Sequence, residues 1–302
     1  MDARTDTETR TRILILGGDG MLGHQLVASL KPRHQVGSTV RGNVAPGSET
    51  SLVSGVRVFS GVDVRTMERV REVVAEFEPT AIVNAVGVVK QRSEAKQIVP
   101  SLEINALFPH HLAGLCRAAG ARLVHLSTDC VFSGRKGNYS EQDTPDPVDL
   151  YGQSKLLGEL REPPAVTLRT SIIGLELLRN TGLVEWYLAQ KGTIRGFRKA
   201  IYSGFTTMEI TRVIEMVLVD FPDLHGVWHV ASAPIRKYDL LRRLTEKLGR
   251  RDIQIEPDDQ FVCDRSLCST AFSETTGYRA PGWDLMLEEL AGQIHQRGGR
   301  PR

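Results

Sequence analysis

Tyr151 and Lys155 stand four residues apart in the stretch Leu150-Tyr151-Gly152-Gln153-Ser154-Lys155-Leu156. On a helix this spacing is just over one turn, so a phenol and an ammonium share one face. A free phenol has a pKa near ~10. An ammonium about 4 Å away, at an effective dielectric near ~20, favours the phenolate by roughly 4 kcal/mol. That corresponds to about three pKa units before screening and desolvation reduce it. The pair is thus suited to moving a proton near neutral pH. Tyr/Lys pairs are also common on solvated helices, and the meaning of this one depends on its surroundings.

A second set of residues lies near the N-terminus. Gly17-Gly18-Asp19-Gly20-Met21-Leu22-Gly23 carries glycines in the pattern G-x-x-G-x-x-G. Glycine permits a tight turn and lets the backbone approach a pyrophosphate. The helix start at Met21, Leu22 and Gly23 offers N–H groups and a favourable dipole to the anion. Taken alone, the pattern describes equally a tight turn with nothing bound. Its context decides, because dinucleotide binding requires strand, loop and helix in that order.

The elements meet this requirement. Arg12 to Gly17 reads as a short buried strand and Met21 to Leu30 as a helix. Further strands are expected at Gln35 to Val40, Val56 to Phe59, Ala81 to Gly87, Arg122 to Ser127 and Val166 to Leu168. Between them, Met67 to Phe77 and Pro100 to Ala119 read as helices. This alternation predicts an α/β fold, a Rossmann-like doubly wound parallel sheet with helices on both faces. After about Ser171 the rhythm loosens. Helices are expected at Leu183 to Gln190, Thr207 to Asp220, Lys237 to Leu248 and Trp283 to Gln296, with strands at Val227 to Val230 and Asp252 to Glu256. The expected organisation is a disordered lead-in over 1–11, a dinucleotide-binding domain over 12–170, a smaller C-terminal α/β substrate lobe over 171–296 and a flexible tail over 297–302.

Composition excludes other classes. Of 302 residues, 41% are hydrophobic and 25% charged, as in ordinary soluble domains. A net charge of +2 gives no footing for nucleic acid or a membrane surface. No run approaches the roughly 18 apolar residues of a membrane span. The four cysteines form no C-x-x-C pair, and no metal cluster is expected. A reducing, cytoplasmic setting is the simplest expectation.

Motifs along the chain carry a resemblance. Ser127-Thr128-Asp129-Cys130-Val131-Phe132-Ser133-Gly134 follows the fifth strand, then Glu141 to Pro145, then Tyr151-Gly152-Gln153-Ser154-Lys155. With the glycine loop, this series resembles the extended short-chain dehydrogenases/reductases, in particular the dTDP-4-dehydrorhamnose reductase-like family. The likeness is good over about 12–175 and looser beyond. It implies that Tyr151 and Lys155 are catalytic, that Thr128 hydrogen-bonds the substrate carbonyl, and that Asp129 orients substrate hydroxyls. It implies that Asp63-Val64 holds the adenine, that Asn84-Ala85-Val86-Gly87 lines the cofactor, and that Asn105 supports a water path to Lys155. Arg41 ends the second strand, where NAD-preferring relatives often place an acid. An arginine suits a 2′-phosphate, so NADP(H) is expected over NAD(H). Cys130 departs from the tyrosine common at that place, which leaves the sugar open.

The resemblance implies reduction of a nucleotide-activated 4-keto-6-deoxy sugar, in deoxysugar and polysaccharide biosynthesis. Its diphosphate calls for a basic side chain from the second lobe, with Arg265 first and Arg198 second. A homodimer is the assembly the resemblance suggests. Two other readings stand beside it. One is a sugar-nucleotide epimerase or dehydratase on the same fold; Arg41 fits the first poorly, and Cys130 argues against the second. The other is a non-catalytic NADP-binding regulatory subunit, because the regulatory subunit of methionine adenosyltransferase resembles the same reductases.

Overall fold

The structure, a computed structural model, describes residues 11–42, 55–89, 96–178 and 180–298. The expected lead-in up to residue 10, most of the polar stretch after Arg41 and the last four residues lie outside them.

The first half is built as its apolar runs require. Strands β1 (Arg12–Leu16), β2 (Gln35–Thr39), β3 (Arg57–Phe59), β4 (Ala81–Asn84), β5 (Arg122–Thr128) and β6 (Ala165–Thr170) all run parallel. Parallel strands covered on both faces read as continuous apolar runs, and Ile13 to Leu16 are fully buried. Helices α1 (Met21–Leu30), α2 (Met67–Phe77), α3 (Ile98–Ser101), α4 (Phe108–Ala119) and α5 (Leu150–Leu157) connect them. One buried cluster joins Ile13 and Ile15 to Leu26 and Ile214, and another joins Leu14 and Leu16 to Val73 and Leu112. Alternate residues of β1 thus feed opposite layers.

The long helix expected from Pro100 is interrupted. Between α3 and α4 the chain makes a π-helix, Leu102–Leu107. Pro109 has no N–H to donate, and in a regular helix its ring would crowd the Asn105 carbonyl. A wider turn relieves this and places Asn105 inward, 1% exposed.

The second half contributes β7 (Ile172–Ile173), α6 (Leu183–Leu188), β8 (Gly192–Phe197), β9 (Ala200–Tyr202), β10 (Phe205–Thr206), α7 (Thr207–Val219), β11 (Gly226–His229) and β12 (Ile235–Arg236). They are followed by α8 (Lys237–Lys247), β13 (Ile253–Asp258), β14 (Cys263–Asp264), α9 (Thr270–Thr276) and α10 (Trp283–Gly298). The central sheet has the order β11-β6-β5-β4-β1-β2-β3. Strand β11, expected within the second lobe, instead pairs in parallel with β6, and α7 packs on α1. The chain therefore returns to the first domain after residue 170. Small sheets β12-β9-β14 and β13-β8 make up the lobe. The expected tail at 297–298 is still helix, tied down by an Arg297–Glu185 ion pair.

The order reverses direction between β1 and β4, which opens a crevice at the strands' C-terminal ends.

Candidate active site

A cavity of about 470 Å³ fills that crevice and continues beneath the small lobe. Gly20, Met21 and Leu22 form one end, and Asn84, Ala85, Val86 and Gly87 the floor beyond β4. Thr128, Asp129, Cys130, Tyr151 and Lys155 form the middle, and Arg265 lies toward the lobe. Seven expected residues do not line it: Gly17, Gly23, Arg41, Asp63, Val64, Asn105 and Arg198.

The glycine loop is built for close approach. A Cβ on Gly23 would lie 2.0 Å from the Gly17 carbonyl oxygen, and Gly17 has a φ of +84°. No side chain caps α1, and its first turn carries no acid. Uncapped N–H groups with no acid beside them fit a pyrophosphate. Arg41 is exposed just past β2, close enough to Asp63 for its charge to help hold that carboxyl low. The larger cause is Arg65, whose Nε donates to Asp63 at 3.0 Å. Asp63 is thus bound to a neighbour on the rim, and Val64 is buried in the core.

The middle of the site is assembled by β5 and α5. Asp149 caps α5, its carboxylate accepting from Gly152 N at 2.9 Å. A Cβ on Gly152 would meet the Cys130 carbonyl oxygen at 2.3 Å, so glycine lets the helix press on the turn after β5. Tyr151 is thereby brought near Thr128, whose hydroxyl acts on the phenol. Thr128 Oγ1 also donates to Asp129 Oδ1 at 3.1 Å and accepts from Cys130 N at 3.1 Å.

The electrostatics differ from the expected Tyr/Lys pairing. Lys155 Nζ donates to the Leu126 carbonyl at 2.6 Å, and burial lowers its pKa to about 8. Burial also pushes the Tyr151 phenol up, helped by Cys130, Asp129 and Asp149. The lysine does not make a phenolate here. Desolvation of both groups outweighs the through-space attraction that the spacing suggested. The phenol is held neutral, the state a proton donor needs. Asp129 is raised as well, chiefly by burial and against the pull of Arg265.

Asn105 is a clamp. Its Oδ1 accepts from Val88 N at 2.9 Å, and its Nδ2 donates to Val88 O at 3.0 Å and Ser154 Oγ at 3.1 Å. The amide joins the loop after β4 to α5. Arg198 is exposed, paired with Asp259 on the surface, and does not line the cavity. Arg265 does reach it, its Nε donating to the Phe132 carbonyl at 2.8 Å. The cation that composition alone concealed is Lys237, at the start of α8. Its ammonium lies 5.6 Å from the Phe197 ring centre and 5.8 Å from that of Trp186, and burial lowers its pKa. No carboxylate pairs with it among the described residues. Its only sequence signal was a lysine opening a helix, where the dipole favours an anion instead.

Behind these residues lies a buried ion pair. Arg169 Nε and Nη2 each donate to Glu159 at 2.7 Å, Ser127 Oγ donates to the same carboxylate at 2.7 Å, and Arg169 Nη1 contacts His229 Nε2 at 3.1 Å. The network ties the ends of β5, β6 and β11 beneath the site.

Comparison with known proteins gives the same outline. Residues 11–190 match the RmlD substrate binding domain family. A dTDP-4-dehydrorhamnose reductase of Aggregatibacter actinomycetemcomitans is 27% identical over 233 residues, 74% of each chain. A Streptomyces griseus protein of the same name is 34% identical over 151 residues, 50% of this chain and 44% of that one. Methionine adenosyltransferase 2 subunit beta of Danio rerio is 39% identical over 116 residues, 35% of this chain and 33% of its own. Among solved structures, the Bacillus anthracis dTDP-4-dehydrorhamnose reductase in complex with NADP aligns with a TM-score of 0.76 at 21% identity, over 94% of this chain and 99% of that chain.

Proposed function

The chain belongs to the RmlD substrate binding domain family and is an NAD(P)-dependent oxidoreductase, and we propose that it reduces the keto group of a nucleotide-activated 4-keto-6-deoxy sugar with NADPH. The observation that carries this reading is that Thr128, Lys155 and a neutral, partly buried Tyr151 line one cavity with the glycine loop. Gly17, Gly20, Met21, Leu22 and Gly23 would hold the pyrophosphate and residues 84–87 the rest of the cofactor, which supplies a hydride when bound. Arg41, exposed on the rim, favours a 2′-phosphate and hence NADP(H). Thr128 donates to the ketone oxygen, Tyr151 gives the developing alkoxide its proton, and Lys155 is near enough to neutral to replace that proton. Arg265 and Lys237 supply the positive charge that a sugar diphosphate needs.

The test is NADPH consumption with dTDP-, UDP- and GDP-linked 4-keto-6-deoxy sugars, with Tyr151→Phe alongside. We expect turnover by the native protein and a loss of about 10²–10⁴-fold in the variant, at unchanged NADPH affinity. Tyr151→Phe turning over at the native rate overturns the assignment. The likeness to the methionine adenosyltransferase subunit supports one second reading, a cofactor-binding partner subunit. Tight NADPH binding without consumption of any sugar would favour it.

A further inference from the structure

We propose that Tyr202 reads the sugar, its phenol acting with Asp129 to hold the hydroxyl on the carbon next to the ketone. This rests on the reductase reading above and adds a residue to it.

Tyr202 lines the cavity, yet its hydroxyl oxygen is buried and has no hydrogen-bond partner among the described residues. A buried hydroxyl without a partner costs about 1–3 kcal/mol, and a phenylalanine would avoid that cost. The Tyr202 side chain is packed between neighbours. Its ring rests on Trp283, with centres 5.5 Å apart at 57°. Its strand β9 is the middle one of three, paired with β12 at Ile235 and Arg236 and with β14 at Cys263 and Asp264.

The flanking strands define what the phenol faces. Arg265 follows β14 directly, and Lys237 follows β12 directly, so the two cavity cations stand on either side of the tyrosine's strand. Asp129 lines the same cavity, and its charge acts on the Tyr202 phenol. A sugar whose diphosphate meets the cations and whose ketone meets Thr128 and Tyr151 must therefore pass Tyr202 and Asp129. In a 4-keto-6-deoxy hexose, C5 carries only the ring oxygen and a methyl group. C3 is the one neighbour of the ketone that bears a hydroxyl. That hydroxyl can donate to the Asp129 carboxylate and accept from the Tyr202 phenol, which satisfies the unpartnered group.

Calorimetric titration of NADP⁺-saturated native protein and Tyr202→Phe with dTDP-L-rhamnose, and with dTDP alone, tests this. The variant should bind dTDP-L-rhamnose about tenfold more weakly, the loss of one hydrogen bond, and dTDP equally well. Its ligand-free melting temperature should equal or exceed the native value, because an unpaired hydroxyl is removed. Equal affinity of both proteins for dTDP-L-rhamnose overturns the inference. So does a parallel loss for dTDP, a melting temperature lowered by several degrees, or a native protein to which the sugar adds no affinity. A native protein that binds dTDP-L-rhamnose through Tyr202 and yet consumes no NADPH would instead refute the reductase reading alone.

Discussion

At the scale of single residues, burial decides the chemistry. Tyr151 and Lys155 lie one turn apart, but the ammonium donates to the Leu126 carbonyl and the phenol stays neutral. Spacing identifies which groups meet, whereas their protonation depends on how much water the fold removes. The two cations of the outer cavity follow the same logic. Arg198 has an acidic partner and solvent around it, whereas Lys237 has aromatic faces and no carboxylate among the described residues. Lys237→Met should therefore raise KM for the nucleotide sugar by about 10–100-fold at little change in kcat, the value of a hydrogen bond to a charged group. Arg198→Ala should leave both constants as they were. Steady-state kinetics on the two variants checks this, and equal effects would put the diphosphate elsewhere.

At the scale of elements, the π-turn at Leu102–Leu107 fixes the position of the tyrosine helix through Asn105. Asn105→Ala would leave Val88 N and O buried without their partner and free Ser154 from the helix behind it. We expect a stability loss of about 3 kcal/mol and a lower kcat, read by thermal unfolding and turnover together. Unchanged kcat in a destabilised protein would mean that α5 keeps its place without the clamp. Legibility also divides at this scale. The parallel strands were readable because burial on both faces leaves uninterrupted runs such as Ile13 to Leu16 and Ala81 to Val83. The glycine loop and the Thr128, Tyr151 and Lys155 set were readable because their spacing is local. The π-turn was hidden, since Pro109 sits where a helix start would tolerate it. Tyr202, Lys237 and the strand partners of Arg265 were hidden for another reason. Strands β9, β12 and β14 have only two or three residues each, too few to show a period, and their pairing joins residues some 30 to 60 positions apart in the chain.

At the scale of the molecule, the two halves are held in register by buried charge. Glu159 and Arg169 are each 2% exposed at the side chain, and Arg169 passes the contact on to His229 at the edge of the sheet. His229 has a fixed role on both sides: Nδ1 faces the Tyr139 carbonyl at 2.9 Å, and Nε2 faces the Arg169 guanidinium. Nδ1 must then donate and Nε2 accept, which only the neutral ring can do. Burial, and next the Arg169 charge, lower its pKa to about 4 from an ordinary 6.5. The unfolded chain takes up this proton below pH 6.5 while the native ring refuses it down to about 4, so stability falls as pH drops through that window. By pH 4.5 the loss from this residue should be about 2–3 kcal/mol. His24 and His125 are shifted the same way by burial, so the whole protein should be acid-labile. His229→Gln isolates one contribution, because an amide keeps a donor and an acceptor but does not titrate. Urea unfolding at pH 7 and pH 4.5 should show the native protein losing about 2–3 kcal/mol more than the variant between the two. Equal losses would mean that the ring accepts its proton freely, with Arg169 turning aside, and the network beneath the site would then be a movable contact between the halves.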